Sequence, residues 1–184
     1  MNKMTMRLCT AALAAALAGG AAHAAEFELS SPDVRQMQPI APAYYWNNFG
    51  CSGENMAPRL EWKNPPAGTR SYAVTLHDDD APTGSGFWHW VVYDIVADAD
   101  GLAGGKNGGA LPAGAVQGNT DLGKSGFFGP CPPVGREHRY RWTLHALKVD
   151  KLPVAADASP ALVGFILWQN RLAEVSLTVT AGPR

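Results

Sequence analysis

The chain has 184 residues, with 15 basic and 16 acidic side chains and a formal charge of -1. A nucleic-acid binder is expected to carry a basic surplus, and neither a surplus nor a basic run is present here. The length suits one domain able to bury a sizeable core.

The chain opens with Lys3 and Arg7 ahead of an apolar run from Leu8 to Ala18. Ala22-His23-Ala24 then sets small residues where a signal peptidase reads, which predicts a secretory signal peptide over 1–24 and cleavage before Ala25. The run falls short of the ~20 residues that span a bilayer. Cys9 stands at the start of the apolar run rather than at its end, which argues against lipid attachment. No later segment reads as a transmembrane span. The expectation is one exported domain over 25–184, periplasmic or secreted, with a charge of about -3 once Lys3 and Arg7 are removed. Cys51 and Cys131 then remain, and an oxidising compartment permits one bridge between them; the alternative is two free thiols.

Short β-branched and aromatic runs between turn signals predict strands at Phe27–Leu29, Arg59–Trp62, Tyr72–Asp78, Phe87–Ile95, Tyr140–Val149 and Ser176–Thr180. Residues 33–57 lack periodicity and contain Pro39, Pro42, Gly50 and Gly53, so they read as a long loop that must be tied down elsewhere. Residues 98–114 form a glycine-rich excursion. Ser159-Pro160 offers an N-cap followed by proline at the first helical position. Leu162, Phe165, Ile166, Gln169 and Leu172 or Ala173 follow at helical spacing, which predicts an amphipathic helix lying on the sheet. The fold class is mostly β and antiparallel, with one clear helix.

Two segments hold candidate chemistry. Asp78-Asp79-Asp80-Ala81-Pro82 ends one strand and is followed by Trp88-His89-Trp90. Three successive acids repel one another unless compensated, and His89 within an apolar strand needs a partner, for which an aspartate is suited. A solvated turn is the plainer reading of the acid run. The second segment, Gly129-Pro130-Cys131-Pro132-Pro133, is stiff and precedes His138-Arg139-Tyr140. Period two puts His138, Tyr140 and Trp142 on one strand face and Arg139 and Arg141 on the other.

Asp-x-Asp-Ala-Pro, then Trp-His, then Gly-Pro-Cys-Pro-Pro-x-Gly, then His-Arg-Tyr resembles the phosphatidylethanolamine-binding protein family, most of all its bacterial Raf-kinase-inhibitor-like branch. Phe49–Asn55, Pro58-x-Leu60-x-Trp62, Gly114–Asp121 and Ala161–Gly164 extend the resemblance over about residues 26–180. It implies a central antiparallel sheet packed with a second sheet, and few helices. It also implies a shallow pocket for phosphate-like anions at Asp78, His89, Gly129, Cys131, Pro132, His138 and Tyr140, with Asp80 and Trp88 close by. In that pocket a carboxylate would raise the His89 pKa, while Tyr140 and backbone N–H groups of 129–131 would donate to the ligand. Asp79 stands where the family usually has proline.

The function expected is a non-catalytic binding module, with no catalytic residue, cofactor or metal. Its ligand would be a small anion or phosphorylated head group, with a protein partner in the envelope or a host and no nucleic acid. The competing class is a metal-dependent hydrolase using Asp78, Asp80, His89 and His138, although their spacing matches no compact metal motif. A serine hydrolase lacks its Gly-x-Ser-x-Gly elbow, since Gly84-Ser85-Gly86 reads as a turn.

Overall fold

The computed structural model describes residues 25–184; the expected signal peptide over 1–24 lies outside the described residues. In chain order the strands are β1 (Glu28–Ser30), β2 (Met56–Ala57), β3 (Leu60–Lys63), β4 (Ser71–Asp78), β5 (Phe87–Val96), β6 (Gly101–Leu102), β7 (Gly105–Lys106), β8 (Val116–Gln117), β9 (His138–Leu147) and β10 (Arg171–Ala181). Helix α1 spans Pro160–Asn170. The main sheet runs β10-β9-β4-β5-β8, and every pairing in it is antiparallel. A second sheet runs β1-β3-β6, and β2 pairs with β7.

Alternation along the central strands divides the side chains between two faces. Tyr72, Val74, Leu76, Trp142 and Leu144 meet Leu60 and Trp62 of the small sheet in the larger core, where Trp62 and Tyr72 lie 5.3 Å apart. Ala73, Val91, Tyr93 and Leu147, on the other face, pack against Val163 and Leu167 of α1.

The helix is capped as expected: the Ser159 hydroxyl accepts from the Leu162 N–H at 3.3 Å, and Pro160 opens the first turn. Its orientation differs from the expected one. Pro160, Val163 and Leu167 are buried, whereas Leu162, Phe165, Trp168 and Leu172 are exposed, Trp168 by 60 %. The helix is apolar on all sides, so spacing alone could not choose its inner face.

The expected loop over 33–57 holds a short 3-10 turn at Pro42–Tyr44 and β2. It is tied to β10 by Met37 N–H to Thr178 O (2.7 Å) and Ile40 N–H to Thr180 O (3.0 Å). A disulfide joins Cys51 to Cys131, 80 residues apart, with Cα atoms 5.9 Å apart. Arg184 adds a second tie across the same two loops, donating from Nε to Pro132 O (2.7 Å) and from Nη1 to Gly50 O (2.9 Å).

Candidate functional site

Asp78 ends β4 directly opposite Tyr140 of β9. The strand alternation points the Asp78 side chain inward, where it is almost fully buried, and a bare carboxylate there would be costly. Its partner is His138, whose Nδ1 donates to Asp78 Oδ2 at 2.8 Å. Asp78 Oδ1 accepts from the Asp80 N–H at 2.9 Å, which fixes the turn that follows.

The other two acids have cations of their own from β9. Asp80 takes a two-pronged bond from Arg139, Nε at 2.9 Å and Nη2 at 2.7 Å, with the Arg139 N–H at 2.8 Å. That contact holds the Asp80 carboxyl down to about 2. Asp79 binds the Arg141 guanidinium through both oxygens, at 2.9 and 3.0 Å, and receives His77 Nδ1 at 2.7 Å. Burial pushes the Asp79 carboxyl up, but these hydrogen bonds outweigh it and the net shift is downward. The Asp79 N–H donates to Arg139 O at 3.1 Å, a bond that proline could not make. The acid run is therefore compensated residue by residue rather than solvated as a bare turn.

His89 departs from expectation. A register shift between Leu76 and His77 pairs Leu76 with Trp90 and His77 with Trp88, which leaves His89 as the extra residue of a bulge. Its ring turns towards Phe87 and Tyr140, at 5.0 and 5.3 Å between ring centres. Its partner is a backbone carbonyl and not an aspartate: Nδ1–H donates to Phe128 O at 2.8 Å, while the Phe128 N–H donates to His89 O at 3.2 Å. His89 thus braces the segment that leads into the 129–133 loop. Burial drives its pKa down to about 4, against the opposing pull of the Phe128 carbonyl and Asp78. The imidazole is neutral at pH 7, with Nε2 left as an acceptor.

A pH dependence follows from this shift. The folded pKa lies below the ordinary histidine value of 6.5, so the unfolded chain binds the proton more readily. The stabilisation is complete above about pH 6.5 and is lost as pH falls towards 4, at up to ~1.4 kcal/mol per pH unit. Urea melts at pH 7, 5 and 4 are expected to show this slope, and His89→Gln should flatten it; an unchanged slope would count against a neutral buried His89.

Tyr140 is fully buried, and its hydroxyl makes no hydrogen bond of good geometry among the described residues. Burial first, and then the Asp78 carboxylate, push its phenol well up, so it keeps its proton. It stands between the rings of His138 and His89, 6.4 and 5.3 Å away. His138 also lines an open cavity of about 670 Å3, whose other walls are Asp80, Pro82, Pro133, Arg136, Glu137 and Arg139.

The loop contributes less to the pocket than expected. The Gly129 N–H is committed to Asn55 Oδ1 at 2.7 Å, and a Cβ at Gly129 would lie 2.4 Å from Tyr44 O. Gly129 therefore allows two backbones to pack, and with prolines at 130, 132 and 133 only the Cys131 N–H remains to donate. Pro132 is buried and its carbonyl is taken by Arg184. Trp88 is not brought to this pocket. Its ring lies against His77 at 4.6 Å and faces Gly164 of α1, on the far side of the sheet. The sequence reading also missed Asn55, whose Nδ2 donates to Phe127 O at 3.0 Å; its place within the Phe49–Asn55 motif was the available signal. Among the described residues, no three His, Cys, Asp or Glu side chains gather as metal ligands.

The family profile described as phosphatidylethanolamine-binding protein matches residues 30–182. The chain belongs to the phosphatidylethanolamine-binding protein family. This member is 44 % identical over 161 residues to the UPF0098 protein YbcL of Escherichia coli, covering 85 % of this chain and 88 % of that one. It is also 44 % identical over 153 residues to the UPF0098 protein YbhB of the same organism, covering 82 % and 97 %. The crystal structure of YbcL superposes with a TM-score of 0.82 at 41 % identity, covering 87 % of this chain and all of that one. A Mycobacterium tuberculosis protein described as lipoprotein LppC is 38 % identical over 117 residues, covering 63 % of this chain and 53 % of its own. The mostly β fold with one helix agrees with the fold of this phosphatidylethanolamine-binding protein's structural relatives.

Proposed function

We propose that this protein is an exported, non-catalytic binding protein whose pocket takes a small phosphorylated ligand at Asp78, His138, Tyr140 and His89. The observation that carries the reading is the Tyr140 hydroxyl, buried near Asp78 and without a hydrogen bond of good geometry among the described residues. Buried hydroxyls are normally well bonded, so this one, next to the His138 ring at the cavity wall, fits a ligand oxygen. Neutral His89 offers an acceptor, while Tyr140 and the Cys131 N–H offer donors. That combination suits a ligand carrying both an anionic oxygen and a proton to give, such as a phosphate monoester with an ammonium tail. Export is supported by the Cys51–Cys131 bridge and by the lipoprotein description of the mycobacterial relative.

A metal-dependent hydrolase is the weaker reading. Asp80 is turned to Arg139 and His89 is held by Phe128, so neither is free to join Asp78 and His138 around an ion. The test is a titration with phosphorylethanolamine, followed by the NMR signals of His138 and Tyr140. Saturable shifts are expected, weakened about tenfold in Tyr140→Phe. No shift at millimolar ligand would remove the proposal. Cell fractionation and N-terminal sequencing would check export, with a mature chain starting at Ala25 as the expected result.

A further inference from the structure

The helix side of the main sheet carries a second cavity, of about 460 Å3, between β4, β9 and α1. Alternation places Thr75, His77, Arg141, Thr143 and His145 on this face, opposite to Asp78 and Tyr140. Where α1 covers the sheet fully, that face is apolar, at Ala73, Val91, Tyr93 and Leu147. Over Thr143 and His145 it becomes polar while remaining buried.

His145 is only 8 % exposed, and its Nδ1 makes no hydrogen bond among the described residues. Glu174 Oε2 lies 3.4 Å away without hydrogen-bond geometry. A polar group left in this state within a cavity points to something that binds there. Two guanidiniums stand at the cavity wall. Arg141 spends Nε and Nη2 on Asp79 and one Nη1 donor on Thr143 Oγ1 (3.5 Å), and Arg171 pairs with Glu174 through Nη1, so each of these five-donor groups keeps N–H bonds to spare. Burial above all, with Arg171 and Arg141 adding to it, holds the His145 pKa down to about 3, so the imidazole is neutral.

We propose that this cavity is a second ligand site, for a small oxyanion held by Arg141 and Arg171 and separate from the Asp78–His138 pocket. Asp79 has a definite part in it. In place of the family's usual proline, its carboxylate clamps the Arg141 guanidinium in position beside the cavity. The oxyanion's carrier can be a carboxylate or a phosphate, and both chemistries suit a guanidinium.

The experiment follows the imidazole nitrogens of His145 and the indole N–H of Trp88, both of which line the cavity, by NMR, while inorganic phosphate and, separately, citrate are added. A saturable shift of both residues with at least one anion is expected, and the stronger response names the chemistry. The shift should persist in Tyr140→Phe, which removes a donor of the first pocket. It should weaken about tenfold or more in Arg171→Gln. Arg171 is partly exposed, so this variant is expected to fold, and a thermal melt would check that; Arg141→Gln gives a second reading. If His145 is unmoved by either anion, or moves equally in folded Arg171→Gln, the proposal is overturned. Loss of the response in Tyr140→Phe would place the anion in the first pocket and overturn it equally.

Discussion

Asp78→Ala is expected to lower the unfolding free energy by about 2–4 kcal/mol, since two buried donors would each lose their acceptor at a cost of about 1–3 kcal/mol. The pair is deep: the side chains of His138 and Asp78 are 5 % and 4 % exposed. Alanine would leave His138 Nδ1 without an acceptor in a place water hardly reaches, and it would also orphan the Asp80 N–H. Asp78→Asn keeps one oxygen, which can accept from one of the two donors and not from both, so it should cost less than alanine. The ordering wild type, Asn, Ala in urea melts at pH 7 is the signature of the pair. A loss below about 1 kcal/mol in Asp78→Ala would mean that the pair does not hold this corner together. The same variant should lose phosphorylethanolamine binding, because His138 is aimed by Asp78 and stands between the cavity and Tyr140.

Reduction of the disulfide, or Cys51→Ser with Cys131→Ser, is expected to cost about 4 kcal/mol, the chain-entropy value for a loop of this length. Its structural effect should be local. The 47–53 and 129–133 segments would keep the Trp46 N–H to Pro130 O bond (3.0 Å) and the Arg184 clamp, but lose their only covalent tie among the described residues. Urea midpoints with and without reductant measure the loss, and thiol alkylation of the denatured oxidised protein counts the free cysteines. An unchanged midpoint on full reduction would show that the non-covalent ties suffice. Ligand affinity at the first pocket should also fall in the reduced protein, since the Cys131 N–H sits in the loosened loop.

The central strands are legible because Tyr72–Asp78 alternates and Phe87–Ile95 is apolar at nearly every position. Tyr72–Asp78 and Phe87–Ile95 are each found within one residue at either end. β10 was foreseen as Ser176–Thr180 but begins at Arg171, directly after the helix. Its first half alternates weakly, so only pairing with β9 marks it as strand. Residues that converge on Asp78 could be named from motifs, but the partnerships could not. Whether Asp78 meets His89 or His138 depends on the register of β4 against β9 and on a bulge one residue long. Neither is a local property of the sequence. The same bulge puts Trp88 and Trp90, two residues apart, on opposite faces of the sheet. Arg139 and Arg141 were assigned to a strand face without a role, because their acids lie about 60 residues away.

The three neighbouring acids each answer to a different side chain on β9: 78 to 138, 79 to 141, 80 to 139. In evolutionary terms this makes three separable units of inheritance. A relative with proline at position 79 has no carboxylate to hold a guanidinium at 141, so arginine there is released to drift towards an ordinary strand residue. The 78–138 and 80–139 pairs carry no such freedom from that change. Substitutions across homologues should therefore occur at 79 and 141 together, while the other two pairs vary independently of them.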